Sequence, residues 1–480
     1  MSRRKRAAAT ERDPATIYPL DIPGRAWFGL YAGDSDTADG GQAPCFAGPE
    51  SSMMILGPPR SGKTTSVVIP SVLDAPGAVV STSTKADVMA QTFVRRWRLG
   101  NCYAFDPSGT VHLVKYVTPL RWSPVTGCDV FERAVTTAHS LASAGRPNAQ
   151  LTESAHWVER AEALLAPLLF AAAQTGSDMA TVCRWVLSRD LREPQSVLDR
   201  AGHDMARAIL AGVAATDERE RSGIFSTAAG LLSAYRSEAA LASARQPNFD
   251  PERFVRSTDT VYICSPAHLQ DQMAPLVVAL LDQIRTAAFA RPANAAPVVF
   301  ALDEVAGIAP LPGLPSLAAE GGGQGVVTLA CLQDLSQART RWGDAAEGFF
   351  SLFNHKLVFP GIGDYRTLQL ISSLAGDVQV PVRSVNRVPN PILATIAGSK
   401  QMPTVTTSMM WRPRLPVDAI AQGHPGYALR IAGSYPTWAK IGPWWSHGIW
   451  HGYGFGTSLA YTERARERPA PTVRRPEGPV

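Results

Sequence analysis

Short apolar runs alternate with longer amphipathic segments over most of the chain. Met53 to Leu56, Ala78 to Thr82 and Cys102 to Phe105 are runs too short for helices and bounded by turn residues, which predicts buried strands. Between them the spacing is helical. Val67, Val68, Val72 and Leu73 precede the stop at Pro76-Gly77, and a second segment from Lys85 to Leu99 ends at Gly100. The alternation returns with strands at Thr260 to Cys264, Val298 to Leu302, Val326 to Leu332 and Lys356 to Phe359, and with helices from Gln272 to Phe289 and Tyr365 to Leu374. Strands and helices at this spacing predict an α/β fold with a mostly parallel sheet and helices on both faces.

From about Trp122 to Asp259 the pattern changes to helix alone. Trp157, Ala161, Leu164, Leu165, Leu168, Leu169 and Ala172 recur at helical spacing within a segment from Thr152 to Gly176, a stripe that reads as core, and Ile224 to Leu241 reads as another helix. This stretch is expected to be an all-helical domain, residues 122–258, inserted between two strands of a nucleotide-binding unit formed by residues 46–121 and 259–440. Residues 1–45 read as a basic, largely disordered segment, and 441–480 as an aromatic, Gly-rich patch followed by an Arg/Pro-rich disordered tail. The arginines of Phe93-Val94-Arg95-Arg96-Trp97-Arg98 read as a solvated helix face.

Composition narrows the class. With 480 residues, 45% of them hydrophobic and 18% charged, the chain has the makings of two or three ordered units. The net charge of +5 lies partly in the tails and argues only weakly for a nucleic-acid partner. Six cysteines occur without a C-x-x-C pair, which suits a reducing cytosol and indicates neither zinc nor disulfides. The basic N-terminus leads into Ala, Thr, Glu, Asp and Pro, unlike a signal peptide, and no apolar run is long enough to span a bilayer.

The chemistry centres on Gly57-Pro58-Pro59-Arg60-Ser61-Gly62-Lys63-Thr64, with Thr65 following, which matches G-x-x-x-x-G-K-[ST] between a strand and a helix. Such a loop turns its backbone N–H groups onto a phosphate chain, with help from the helix N-terminus. Lys63 is placed to reach the β- and γ-phosphates and the Thr64 hydroxyl to ligate Mg²⁺, so ATP and Mg²⁺ are the expected cofactors. Val298 to Leu302 runs into Asp303-Glu304, the form of a Walker B strand. Asp303 would hold Mg²⁺ and Glu304 would polarise water. Gln333, at the tip of the next strand, would sense the γ-phosphate or orient water, or else cap the strand. His447 and His451 stand four apart among glycines with no third ligand, so no metal is expected there.

Several motifs together resemble the coupling proteins of conjugation and type IV secretion, the TraG/TraD group, in its actinobacterial forms. They are Gly57 to Thr65, Lys85-Ala86-Asp87, Phe105-Asp106-Pro107, Trp122-Ser123-Pro124, His156-Trp157, Leu302 to Glu304 with Pro310 to Pro315, Glu320-Gly321, Gly325, Gln333 to Gln337, and Asn354 to Gly376. The resemblance covers roughly residues 50 to 440. It implies a RecA-like core with an inserted all-helical domain, a homohexamer, and ATP-driven delivery of single-stranded DNA with bound relaxase to a secretion channel. The place of action would be cytoplasmic, at the inner face of the plasma membrane and reached through partners. The alternative is a nucleotide-switched adaptor that recruits relaxase or effector proteins with slow hydrolysis. A septal DNA pump of the FtsK type is disfavoured by the helical insert and the Pro-rich segment after Glu304. The family's usual N-terminal transmembrane helices have no counterpart here. Gly322-Gly323 replace the Arg-Lys that often follows the Glu-Gly pair, which leaves Arg339, Arg341 or Arg60 as substitutes acting from a neighbouring subunit.

Overall fold

The computed structural model describes residues 27–451 except 38, 145–151, 293–294, 387–403 and 434. In chain order the strands are β1 (Tyr31–Asp36), β2 (Gln42–Phe46), β3 (Met53–Leu56), β4 (Val79–Ser83), β5 (Cys102–Phe105), β6 (Val117–Pro119) and β7 (Thr260–Cys264). They continue with β8 (Val298–Leu302), β9 (Val326–Leu332), β10 (His355–Val358), β11 (Asp377–Asn386), β12 (Thr404–Pro413), β13 (Tyr427–Ile431) and β14 (Thr437–Lys440). Twelve of them form one sheet in the order β2-β1-β14-β13-β10-β3-β9-β8-β4-β7-β5-β6, while β11 and β12 pair as a separate antiparallel ribbon. From β10 to β6 every neighbour is parallel, and from β13 to β2 every neighbour is antiparallel.

The central strands β3, β4, β7, β8 and β9 are buried at every position, as parallel strands covered on both faces must be. Their side chains still alternate. Met54, Leu56, Phe300 and Leu332 join one core, and Met53, Ile55, Ala301 and Cys331 join the other. The first core is closed by helices Phe131–Ala144, Thr152–Gln174 and Gln270–Phe289, and between β6 and β7 the described residues hold helices and turns but no strand. The stripe read from the sequence lies in it, with Ala161, Leu164, Leu165, Leu168, Leu169 and Ala172 fully buried. The helix expected from Ile224 to Leu241 is broken. It runs from Glu218 to Leu231, tightens to a 3-10 turn at Ser233–Arg236 that buries Ala234 and Tyr235, and restarts at Glu238 after extended Ser237.

On the second face, three expectations need correction. The segment expected to be disordered up to residue 45 contains β1 and β2, because pairing with β14 satisfies the backbone of β1 and the Tyr31 ring packs 4.6 Å from Trp450. The aromatic patch set apart as a terminal region is part of this core. Trp444 and Trp450 are buried, and their indole N–H groups donate to Gln91 Oε1 (2.6 Å) and Asp74 Oδ2 (2.8 Å) on the helices that follow β3 and β4. Arg96, read as solvated, is fully buried. It donates to the carbonyls of Ala75 (2.6 Å), Gly77 (2.7 Å) and Thr258 (2.9 Å) and to Thr260 Oγ1 (2.7 Å), so its charge is dispersed over oxygens that connect β4 and β7.

The basic run at the N-terminus and the Arg/Pro-rich tail lie outside the described residues. Among the described residues no helix is long and apolar enough to cross a membrane.

Candidate nucleotide-binding site

Register brings the candidate residues to one edge of the sheet. Leu56 pairs with Leu332 across β3 and β9, and Leu302 pairs with Ala330 across β8 and β9, so Gly57, Gln333 and Asp303 emerge side by side at the strands' C-terminal ends. The Gly57 N–H donates to the carbonyls of Leu332 (3.2 Å) and Gln333 (3.0 Å), and a Cβ at Gly57 would lie 2.7 Å from that of Phe359. Arg60 (φ 63°) and Gly62 (φ 96°) adopt left-handed backbone and curl the loop. The first helical turn, Thr64–Val68, is a wide π-turn that passes into helix Ile69–Asp74, where Pro70 has no N–H to give the Ser66 carbonyl.

Lys63 is 7% exposed, and its Nζ donates to the Gly57 and Pro58 carbonyls, the latter at 2.9 Å. The Thr64 hydroxyl donates to Asp303 Oδ2 at 2.6 Å, joining the phosphate loop to the end of β8 across 239 residues of sequence. Thr82 Oγ1 donates to the Asp303 carbonyl (2.8 Å) and anchors that turn from β4. Burial raises the Asp303 pKa against the opposing pull of the Thr64 hydroxyl and the Lys63 charge. Burial, followed by the charge of Asp303, raises that of Glu304. Glu304 is held at φ 56°, ψ 48°, a left-handed conformation that costs a non-glycine residue about 1–3 kcal/mol.

This donor set suits a magnesium-bound polyphosphate. A hydroxyl and a carboxylate within hydrogen-bond distance of each other can share a hard cation, and a lysine satisfied by carbonyls alone gains from a phosphate oxygen.

Gln333 lies partly buried beside this cluster, and its backbone N–H is capped by Gln337 Oε1 at 2.9 Å. Arg339 is paired with Asp364 (2.8 Å), and Arg341 binds the Ala306 carbonyl (2.8 Å) and Asp271 (2.8 Å), so both are engaged within their own chain. Gly322 and Gly323 precede β9 at the opposite edge of the sheet. A Cβ at Gly322 would lie 1.7 Å from the Glu50 carbonyl oxygen, whereas nothing lies within 4 Å of one at Gly323.

His447 pairs with Asp34 at 3.0 Å, and among the described residues no group of His, Cys, Asp and Glu could hold a metal by itself. Sequence reasoning missed Thr82 and Cys331. The wholly buried Cys331 thiol lies beside Asp303 and is kept protonated by burial and by that charge. Neither residue carries a local signal, because their neighbourhood with Asp303 exists only through strand pairing. Other motifs of the resemblance are structural. Asp106 caps its own turn through the N–H groups of Ser108 (3.0 Å) and Val111 (2.7 Å), and Trp122 donates to Gln283 Oε1 (2.9 Å).

Comparison with known proteins extends this picture. Residues 5–408 match the family described as "Type IV secretory system Conjugative DNA transfer". No curated protein matches the sequence. Among solved structures, the unbound bacterial conjugative coupling protein TrwBdeltaN70 is similar at TM-score 0.61 and 15% identity, over 82% of this chain and 85% of that one. TrwB in complex with a non-hydrolysable ATP analogue gives TM-score 0.61 and 16% identity over 82% and 85%. TrwB with ADP and Mg²⁺ gives 0.60 and 15% over 82% and 86%. At such identity the likeness establishes a shared fold: the RecA-like phosphate-loop core.

Proposed function

We propose that this chain, which belongs to the type IV secretory system conjugative DNA transfer family, is an ATPase that couples hydrolysis to delivery of single-stranded DNA with bound relaxase. Its destination is the secretion channel at the inner face of the membrane, and its working form is a homohexamer. The observation that carries the enzymatic part is the contact of Thr64 with Asp303, with Lys63 buried beside it. Support also comes from TrwB, which has been solved with nucleotide and with Mg²⁺.

In this reading the loop from Gly57 to Thr65, including Pro58, Pro59, Arg60 and Ser61, wraps the phosphates, and Lys63 exchanges its carbonyl partners for phosphate oxygens. Magnesium bound with ATP supplies charge neutralisation of the phosphates. Thr64 and Asp303 hold that ion. Glu304 orients and deprotonates the attacking water, and its raised pKa lets it retain a proton taken from that water better than an exposed carboxylate could. Gln333 positions the water or senses the terminal phosphate.

One observation favours a slower, adaptor-like variant. Arg339 and Arg341 are engaged within the chain, and Gly322 has no room for a side chain. An arginine acting in the transition state contributes roughly 10³ to 10⁵ in rate, so unless Arg60, exposed on the phosphate loop, supplies one to a neighbouring subunit, the chain would be a switch and not a motor. The deciding measurement is ATP turnover with and without single- and double-stranded DNA, in wild type and Glu304→Gln. A motor is stimulated severalfold by single-stranded DNA, and its Glu304→Gln variant retains bound ATP. Wild-type turnover by Glu304→Gln would remove Glu304 from the reaction, and turnover indifferent to DNA would favour the adaptor.

A further inference from the structure

The ribbon of β11 and β12 stands outside the twelve-stranded sheet and pairs in unbroken antiparallel register from Asp377 and Pro413 to Asn386 and Thr404. With ten residues in each strand it is about 34 Å long. A two-stranded hairpin is marginal in water by itself, so an open face on a ribbon of this length calls for something to cover it. Strand alternation defines that face. Trp411, Met409 and Thr407 lie on it, with Gln379, Pro381 and Arg383 paired opposite them, and all six are exposed. Trp411 is 64% exposed and Met409 58%. On the reverse face Val378, Val380 and Val382 are half-buried.

Resting on the DNA-delivery reading above, we propose that this ribbon is a contact arm for single-stranded DNA. Trp411 is the stacking platform for a base, and Arg383 and Arg412 are the phosphate contacts. Charge complementarity favours this occupant. The ribbon's one carboxylate, Asp377, sits at its base, whereas neither arginine is held in an ion pair among the described residues. Ser384, Thr406, Thr407 and Ser408 add exposed hydroxyls, groups that commonly donate to phosphate oxygens. Just past β12 the Arg414 guanidinium lies 4.1 Å over the exposed Tyr435 ring, which continues the pairing of arginine with aromatic surface.

The spacing suits a drawn-out single strand. Residues on one face recur every ~6.8 Å, about twice the 3.4 Å between charges along one strand of a duplex. Arg383, opposite Thr407, lies two such steps from Trp411, so a base stacked on Trp411 brings a phosphate farther along the strand to Arg383. Stacking is indifferent to sequence, because every base has a π-face, and that suits a protein whose family transfers DNA.

The arm is fastened to the nucleotide site through one helix, Tyr365–Ala375. At the helix's C-terminal end the Arg414 N–H donates to the Gly376 carbonyl (2.8 Å) and Ser372 Oγ to the Leu415 carbonyl (2.7 Å). At its N-terminal end Thr367 Oγ1 accepts from the Leu335 N–H (3.1 Å) and Asp364 from Arg339 (2.8 Å). Both donors belong to helix Leu335–Trp342, which begins two residues beyond Gln333. A strand on the ribbon thus bears on the helix that abuts the segment carrying Gln333.

The test is fluorescence anisotropy of the full chain with labelled oligothymidylate, alone and as its duplex with oligodeoxyadenylate. Wild type should prefer the single strand. Trp411→Ala should weaken it by roughly tenfold, the loss of one stacked base, and Trp411→Phe should recover most of that. Arg383→Gln and Arg412→Gln should each flatten the slope of log affinity against log salt by about 0.7. ATP affinity measured without DNA should stay at the wild-type value in all four variants, and stimulation of ATP turnover by subsaturating strand should fall in step with binding.

Unchanged strand affinity and salt slope in Trp411→Ala and both arginine variants would overturn the arm and leave DNA delivery to another surface. The same result with a smaller sedimentation coefficient would overturn it in favour of a contact between copies of this chain. Duplex bound as tightly as the single strand would overturn the single-strand assignment. If wild type bound neither form of DNA, the delivery reading would fall and the arm with it.

Discussion

Replacing Gly322 by alanine tests how the sheet's two edges are mechanically joined. The added Cβ would fall 1.7 Å from the Glu50 carbonyl oxygen and 2.6 Å from its carbon, against an ordinary C···O approach of about 3.3 Å. The backbones must therefore separate by roughly 1.5 Å, the difference between those distances. Gly322 lacks the positive φ that would penalise alanine by itself, so the cost is steric. Overpacking usually costs about 1–3 kcal/mol, and a clash of backbone against backbone belongs at the upper end. The control is Gly323→Ala, where nothing lies within 4 Å and the reduced freedom of the unfolded chain should give a gain of about 0.4–1 kcal/mol.

Urea unfolding of the two variants is expected to separate them by about 3 kcal/mol. Glu50 lies just before β3, so the displacement is passed to the strand that carries the phosphate loop, and Gly322→Ala should also weaken ATP binding. It should do so although the seven residues of β9 put Gly322 more than ~20 Å from Gln333. Stabilities within about 0.5 kcal/mol of each other would refute the contact. The same contact explains why no arginine occupies this position, whereas Gly323 leaves space for one.

Other consequences are equally direct. Arg96→Met withdraws one buried donor group from the carbonyls of Ala75, Gly77 and Thr258 and should destabilise the protein by about 3–5 kcal/mol, read from the shift of the denaturation midpoint. A loss below about 1 kcal/mol would show that the guanidinium's desolvation cancels its bonds. Asp303 and Glu304 have folded-state pKa values raised above their unfolded ones, so each lowers native stability when ionised, and that penalty fades as pH falls through the raised value. Without nucleotide, Asp303→Asn should therefore melt above wild type at neutral pH, and the gap should close on acidification. A gap that widened at low pH would reverse the sign assigned here.

The parallel strands and the phosphate-loop chemistry were legible because their signals are local. Apolar runs of strand length, a complete eight-residue loop motif and Asp-Glu at a strand end each declare themselves within a few residues. The stripe from Ala161 to Ala172 was legible for the same reason, as its burial follows from helical periodicity. The antiparallel edge formed by β1, β2, β13 and β14 was not, since β1 is Gly- and Asp-containing and becomes a strand by pairing with β14, some 400 residues away.

By itself, then, the sequence determined the α/β class, the loop that can grip phosphate and the acids that can face it. Tertiary structure decided that Thr64 meets Asp303, that Arg96 lies inside while its neighbour Arg98 remains outside, and that Trp450 packs on Tyr31 and not in a loose tail. It also decided that Gly322 abuts Glu50. The physical reason is range: backbone propensity and hydrophobic period act over a few residues, whereas these contacts join segments hundreds of residues apart, whose apposition depends on strand order and register across the whole sheet.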